Sequence, residues 1–512
     1  MPSSLFPFRC SPDGFTYLGV YITNNIRDLF SKNFPPLLEK CKADFLRWSN
    51  LPLSMAGRIN LIKMTILPKF LYLFTHLPVY IKKCFFNSLE SLISSFIWNN
   101  KSPRLSRAIL QSPKSEGGFN LPNLRYYYWA CNTQKILYWL DDYGDRPAWV
   151  GMELASSKCS LHSMVCARFP LDIVAASSNL IVRYSLRIWV QIRKELGLLG
   201  LSMNAPIRDN HMFLPSQTDC AFGIWAKAGL YRLKDLYTQN LFKSFQDLKT
   251  EFNLQPSQFF RYLQVRSFIQ KHTSLFPSRP PDSLVDSILS IRHDVKHLIS
   301  IISSLLRENI PTPQAAITAK SKWEGELGVE LSAEYWQAIL AAIHSSSICV
   351  RHSLIQAKVV FRAHYTRLRL SKIYNITDMC IRCGNSPADH LHTFVLCPSL
   401  AGFWAGRFEM INGAYRTGYP MDPCIALFGV SVRPLTPSHI NGVFAFSTLL
   451  ARRLILLQWK SKEPPTLKRW TAEVLTHVKL EKLRYSLRGS LEKFNLMWLP
   501  LLEFFSSQTH LP

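Results

Sequence analysis

Acidic residues are scarce in this chain of 512 residues: 34 Asp and Glu stand against 60 Lys and Arg, for a net charge of +26. A surplus of that size repels itself in compact form and points to an anionic partner, nucleic acid first and an anionic membrane surface second. Cysteine is also sparse. Twelve thiols do not make a chain of this length a disulfide scaffold. No apolar run reaches the roughly 18 uninterrupted residues of a membrane span. The two most apolar stretches, 66–81 and 443–459, are broken by Lys69 and His76 and by Arg452 and Arg453. Residues 1–13 lack the apolar segment of a signal peptide. Gly-rich phosphate loops, GxSxG and HExxH are missing, as are internal repeats and low-complexity tracts. These gaps leave no convincing catalytic constellation. What remains is 47% apolar and 12% aromatic, which excludes a fully disordered chain and allows several sizeable cores.

Helical periodicity dominates. Residues 14–23, GFTYLGVYIT, alternate and predict one strand opened by Gly14. Leu37, Leu38, Cys41, Phe45 and Trp48 form one helical stripe. Met55, Ile59, Ile62 and Ile66 form another, with Ser54 as N-cap and Pro68 just past its end. Leu89, Leu92, Ile93, Phe96 and Ile97 form a third. The stretch 113–122 reads as a turn, and Tyr126 to Trp129 open a helix reaching Leu140. Residues 275–283, LFPSRPPDS, read as a linker. Leu284, Ile288, Ile291, Val295, Leu298, Ile302 and Leu305 then keep heptad spacing. They predict a buried or amphipathic helix, since Leu289, Ile299, Ile301 and Leu306 widen the apolar face beyond a seam, with a coiled-coil dimer seam as the alternative. Gly57 inside a helical pattern costs about 1 kcal/mol relative to Ala, which a close backbone approach would explain.

The strongest chemical signal is Cys380-x2-Cys383-x8-His392-x4-Cys397. A CxxC turn supplies two ligands to a tetrahedral zinc, and Gly384 directly after it suits that turn. His390 is the competing fourth ligand. Four protein ligands leave no open position, so such a zinc is structural. The thiols call for a reducing, intracellular compartment, cytoplasm or nucleus. Upstream, Lys358, Arg362, Tyr365, Arg369 and Lys372 follow steps of four and three and predict one basic helix face. Lys and Arg there would neutralise phosphates, and Tyr365 would stack on an unpaired base. Arg58 and Lys63 flank the second stripe, and Arg452, Arg453 and Lys460 open a third basic segment. Trp139-Leu140-Asp141-Asp142 mimics the aromatic-x-Asp-Asp site of polymerases, but it ends a helical run and precedes a turn, so it reads as a helix end or loop.

A family resemblance enters at Phe15-Thr16-Tyr17-Leu18-Gly19-Val20. The chain then runs Trp48-x2-Leu51-x-Leu53-Ser54-x2-Gly57-Arg58-Ile59, Lys63-Met64-x2-Leu67-Pro68, Phe96-Ile97-Trp98, Gly117-Gly118-x2-Leu121-Pro122 and Tyr127-x2-Ala130. Phe222-x2-Trp225-x3-Gly229, Phe259-Phe260-x-Tyr262-x-Gln264-x-Arg266 and Trp323-Glu324 follow. In order and spacing these resemble the downstream part of the reverse transcriptase reading frame of vertebrate long interspersed element (LINE) retrotransposons.

The resemblance implies a remnant of the last palm strand at 1–24, a helical thumb at 25–140, and a C-terminal segment over 141–275. It further implies a helical region with a basic helix at 284–374, a zinc-knuckle-like module at 375–400 and a helical region at 401–512. The expected fold is mainly α. Expected partners are RNA and a template–primer duplex, in a ribonucleoprotein with the element's RNA and with no membrane. Arg58 and Lys63 would contact the duplex. The family's palm carboxylates would lie upstream of Phe15, so the expectation is a truncated product that binds polynucleotide without polymerising it. A polymerase part working in trans and a non-functional relic are the alternatives.

Overall fold

The computed structural model describes residues 11, 13–140, 147–168, 172–173, 177–309, 311–433 and 435–508. The Asp141-Asp142 pair lies outside the described residues. The chain is mainly α-helical, with two small two-stranded antiparallel sheets. It divides into two compact units whose segments interleave. One comprises residues 1–45, 64–92 and 123–311, and the other 46–63, 93–122 and 312–512. The 25–140 stretch, read above as one thumb-like domain, therefore contributes to both.

In the first unit the expected single strand is a hairpin. Phe15–Tyr17 pairs with Val20–Ile22, Thr16 opposite Tyr21. Leu18 and Gly19 both take positive φ, 46° and 80°, which is the two-residue turn whose twist matches paired strands. The strand thus finds its partner within its own ten residues. The side chain of Asn33, on helix Leu29–Ser49, caps the free edge. Its Oδ1 accepts from Tyr21 N at 2.8 Å and its Nδ2 donates to Tyr21 O at 2.9 Å.

An aromatic cluster fills the core of this unit: Phe34, Phe70, Phe74, Phe86 and Tyr128 are buried. The Tyr128 hydroxyl donates to Val79 O at 2.9 Å and accepts from Ile81 N at 3.0 Å. Helix Leu124–Leu137, capped by Asn123, matches the expected aromatic helix.

Two other expectations are corrected in this unit. The heptad run is two helices, Leu284–Leu289 and Leu298–Glu308, separated by a bend that ends at left-handed His297. Asp286 inside the first is buried and accepts from Met203 N at 2.9 Å, while Arg292 and Asp294 pair at 2.6 Å in the bend. Asp286 is the capping-box partner of Ser283 at the start of the first helix, and the bend after Leu289 breaks the repeat that the apolar positions alone predict. The 275–283 stretch is no inter-unit linker. Phe242 N donates to Pro277 O at 2.9 Å and Arg279 N to Asn240 O at 2.7 Å, stitching it onto the hairpin Tyr237–Thr238 and Leu241–Phe242.

In the second unit Ser54 caps helix Met55–Leu61 by accepting from Gly57 N, as the sequence implies. Pro68 does not end that path. A π-helical turn, Ile62–Ile66, follows, and Pro68 sits where its missing N–H is harmless, in the first turn of helix Leu67–His76, which belongs to the first unit. The turn at 113–122 is present, with Gly117 left-handed at φ 75°. Helix His439–Leu457 has the length and hydropathy of a membrane span, but most of it is buried inside this unit, where Val443, Leu450 and Leu454 are fully enclosed. Arg452, taken above as part of a basic segment, is wholly buried and donates to Ala426 O and Gln356 Oε1, each at 2.5 Å. Arg453 pairs with Glu473 at 2.5 Å.

No close backbone approach explains Gly57. A Cβ there would meet Ser54 Oγ at 3.4 Å and Leu53 Cδ2 at 3.7 Å, which is ordinary contact. Gly57→Ala should therefore stabilise the protein, by about 0.4–1 kcal/mol through the unfolded chain. A denaturant melt showing a loss of stability would contradict this packing.

Candidate functional site

The knuckle at Cys380 is a tight turn closed by its own backbone. Gly384, at φ 76°, donates its N–H to Cys380 O at 2.9 Å, and Cys380 N donates to Asn385 O at 2.8 Å. The second pair of ligands comes from the π-helical turn His392–Leu396 and the residue after it. Asp389 Oδ1 accepts from His392 N at 2.7 Å, and Cys397 N donates to His392 O at 3.0 Å.

These turns bring one ligand atom each from Cys380, Cys383, His392 and Cys397 within 4.8 Å of one another. Cys380 Sγ and Cys397 Sγ are 3.8 Å apart, and Cys383 Sγ lies 3.3 Å from His392 Nε2. A tetrahedron with bonds of about 2.3 Å has an S–S edge of about 3.8 Å. The donor set and its spacing fit a divalent metal. His390 is not part of the cluster. It is buried, with its ring edge-on to Trp323 at 6.2 Å between centroids.

Burial pushes the Cys397 thiol up to about 11. For Cys380 burial acts in the same direction, but the amides of Cys383 and Arg382 and the neighbouring sulfurs outweigh it, and its pKa falls. Burial also lowers the pKa of the His392 imidazole, the form that ligates being neutral.

The module is set into the second unit at several points. Leu368 N donates to Ala388 O at 3.1 Å. Arg382 Nη2 donates to Ile455 O and Gln458 O, both at 3.1 Å, and Trp404 Nε1 to Phe394 O at 2.9 Å.

The single basic helix face is corrected. Helix Val350–Val360 ends, Arg362 turns left-handed at φ 53°, and Thr366 caps a new helix, Arg367–Tyr374, by accepting from Arg369 N at 3.2 Å. The five residues diverge accordingly. Lys358 is half-buried on the first helix, and burial with Arg104 nearby lowers its pKa. Arg362 forms a two-pronged pair with Glu326 and lies 4.2 Å from the Trp323 ring centroid. The Tyr365 ring carries the Arg104 guanidinium at 3.2 Å and that of Arg369 at 5.4 Å, so it holds arginines in place and is not the free stacking platform expected of it. Arg369 and Lys372 are exposed on the second helix.

Arg58 is also corrected. It is buried, and its Nη1 donates to Phe96 O at 2.7 Å, so it is not presented to a duplex. Lys63 is half-buried, and burial together with Lys114 lowers its pKa.

The fold replaces the linear face with two cavities that share Arg104 and Thr366. One is a groove of about 550 Å³ lined by Arg104, Lys322, Arg362, Arg369 and Lys372, with Asp389 as its one acidic wall residue. The other, of about 310 Å³, is lined by Arg104, Lys358, Arg367 and Arg382 together with Tyr365 and Trp459, and by no carboxylate. Sequence reasoning did not reach Arg104, Lys322, Arg382 or Trp459. Arg104 Nη2 donates to Ala363 O across 259 positions, and no local signal marks such a contact.

Purified protein should carry about one metal ion per chain by elemental mass spectrometry. Cys383→Ser should lose it and His390→Ala should keep it; metal retained in the first variant would remove the site. No model of a known protein family matches the chain.

Proposed function

We propose that this chain binds single-stranded RNA through the groove beside its Cys/His cluster, as the polynucleotide-gripping part of a LINE-type reverse transcriptase. The observation that carries the reading is the groove itself. Cations from segments as far apart as Arg104, Lys322 and Lys372 converge on one concave wall with a single acid, Asp389, among them. Asp389 already accepts from His392 N, and Arg362 is already paired with Glu326. Four cations thus remain for a ligand: Arg104, Lys322, Arg369 and Lys372. Among the described residues none of the four has a carboxylate within ion-pair distance. A string of phosphates is the partner that matches such a wall.

The Cys/His cluster enters this reading as a structural zinc site. Cys380, Cys383, His392 and Cys397 would fill all four positions, leaving none for a reacting water. Bound zinc would supply rigidity, locking the knuckle whose Arg382 reaches into the second unit. Its three thiolates require a reducing compartment. The order of the motifs from Phe15 onward supports the retrotransposon assignment, and the overall charge supports a nucleic-acid partner. In this reading the chain grips polynucleotide and does not synthesise it.

Four neutralised phosphates on a single strand give a salt slope of about −3, so affinity should fall about 50-fold between 50 and 200 mM salt. Arg369→Ala and Lys372→Ala should each flatten that slope by about 0.7. Fluorescence anisotropy with a labelled single-stranded RNA measures both. Salt-independent binding, or incorporation of nucleotides in a primer-extension assay, would overturn the reading.

A further inference from the structure

The smaller cavity has no part in phosphate binding as described, yet it shares a wall with the groove through Arg104 and Thr366. We propose that it receives one unpaired base of the strand whose phosphates lie in the groove; this rests on the polynucleotide reading above.

Size is the first argument. At about 310 Å³ the cavity stands at the lower end of small-molecule sites, room for one ring system and not for a duplex. The second argument is its lining. Phe394, Ile455, Leu456 and Trp459 give it apolar and aromatic walls, suited to the face of a base.

The third argument is a set of unfilled donors. Of the cations around the cavity, Arg382 donates through Nη2 to the carbonyls of Ile455 and Gln458, while its buried Nε has no partner among the described residues. Arg104 donates through Nη2 to Ala363 O and lies over the Tyr365 ring, but its buried Nε has no partner among the described residues. Arg367 Nε makes a long contact, 3.4 Å, with Met379 O. Lys358, half-buried on its helix, makes no hydrogen bond among the described residues. The unfilled donors of Arg104, Arg382 and Lys358 can take acceptors from a ligand in the cavity. The carbonyl oxygens and ring nitrogens of a base edge supply acceptors without a bulky chain. In this arrangement the strand crosses the Arg104–Tyr365 stack, with phosphates on the Arg369 side and one base turned in toward Lys358 and Trp459.

The test compares a labelled oligoadenylate with an abasic ribose–phosphate oligomer of the same length, by anisotropy at low salt with the full chain. The abasic probe should bind about tenfold more weakly. Trp459→Ala should cost about the same factor on oligoadenylate and nothing on the abasic probe. Lys372→Ala should weaken both. Leu456→Trp, which fills the cavity from within, should reproduce Trp459→Ala without removing an aromatic, and so stands if Trp459→Ala fails to fold. Equal affinity for the two probes, or a Leu456→Trp protein that still prefers oligoadenylate, would overturn the base pocket while leaving RNA binding intact. Failure of both probes to bind would instead remove the polynucleotide reading itself.

Discussion

The guanidinium of Arg104 is the contact on which the cationic surface of the second unit depends. It donates to Ala363 O and lies 3.2 Å from the centroid of the Tyr365 ring, so it pins the six-residue connection between helices Val350–Val360 and Arg367–Tyr374. A cation over an aromatic face is worth about 0.5–2 kcal/mol, more as it is desolvated. A bond to a carbonyl from a charged donor adds about 1.5–3 kcal/mol. Together these hold a left-handed Arg362 that a continuous helix would not tolerate. The break matters because a straight helix would display its cations along one convex stripe. Broken and pinned, the same residues surround concave space, where field lines are focused.

The cost of that arrangement is like-charge repulsion. Two cations about 8 Å apart near a protein surface repel by about 2 kcal/mol, and Arg104, Lys358, Arg367, Arg369 and Arg382 share one neighbourhood. Among the described residues, Glu326 pairs with Arg362 as counter-charge, and Asp389 is the carboxylate in the groove wall. The metal cluster is a third source when loaded. Three thiolates and one neutral imidazole around a divalent ion carry a net −1, directly beside Arg382. Metal loading and the stability of the cationic wall are therefore coupled through charge as well as through the hydrogen bonds of Arg382. On the proposed reading a ligand with phosphates would supply the remainder and relieve that repulsion.

How much of this was legible in the residues depends on the range of the interactions. The Cys/His cluster was legible because its spacing is local: two tight turns within eighteen residues bring the four side chains together, and only the choice between His390 and His392 needed geometry. The Ser54 cap, the turn at Gly117 and the helix after Asn123 were legible for the same reason. The strand at Phe15 was misread by one step, since Leu18-Gly19 is itself a turn pair, and a β-bonding run with a glycine at its centre is as well satisfied by folding back as by pairing elsewhere. The heptad at Leu284 and the basic face at Lys358 failed differently. Periodicity counts apolar or charged positions and ignores what sits between them, and there a left-handed His297 and a left-handed Arg362 mark the breaks. Arg104 and Trp459 were beyond reach because their roles exist only after folding.

Arginine placement also limits what net charge can say. Arg58, Arg193, Arg407 and Arg452 are all buried. Arg58 donates to Phe96 O, Arg452 to Ala426 O, and Arg193 to the carbonyls of Val165 and Ala167 at 3.1 and 2.7 Å. These side chains do the work of caps and clamps, satisfying backbone acceptors that the helix ends leave open. Arg407 goes further: its guanidinium lies among the rings of Trp404, Phe408 and Phe444, 4.6 to 5.6 Å from their centroids, and burial with Arg452 nearby drives its pKa well down. None of the four meets a ligand at the surface. The formal +26 thus overstates the charge a polyanion would feel, and a scattered surplus would bind weakly and anywhere. The argument for a polynucleotide rests instead on the few cations that are exposed, unpaired and convergent. By that criterion Arg369 and Lys372 count, while Arg58, named from sequence on equal terms with them, is part of the core.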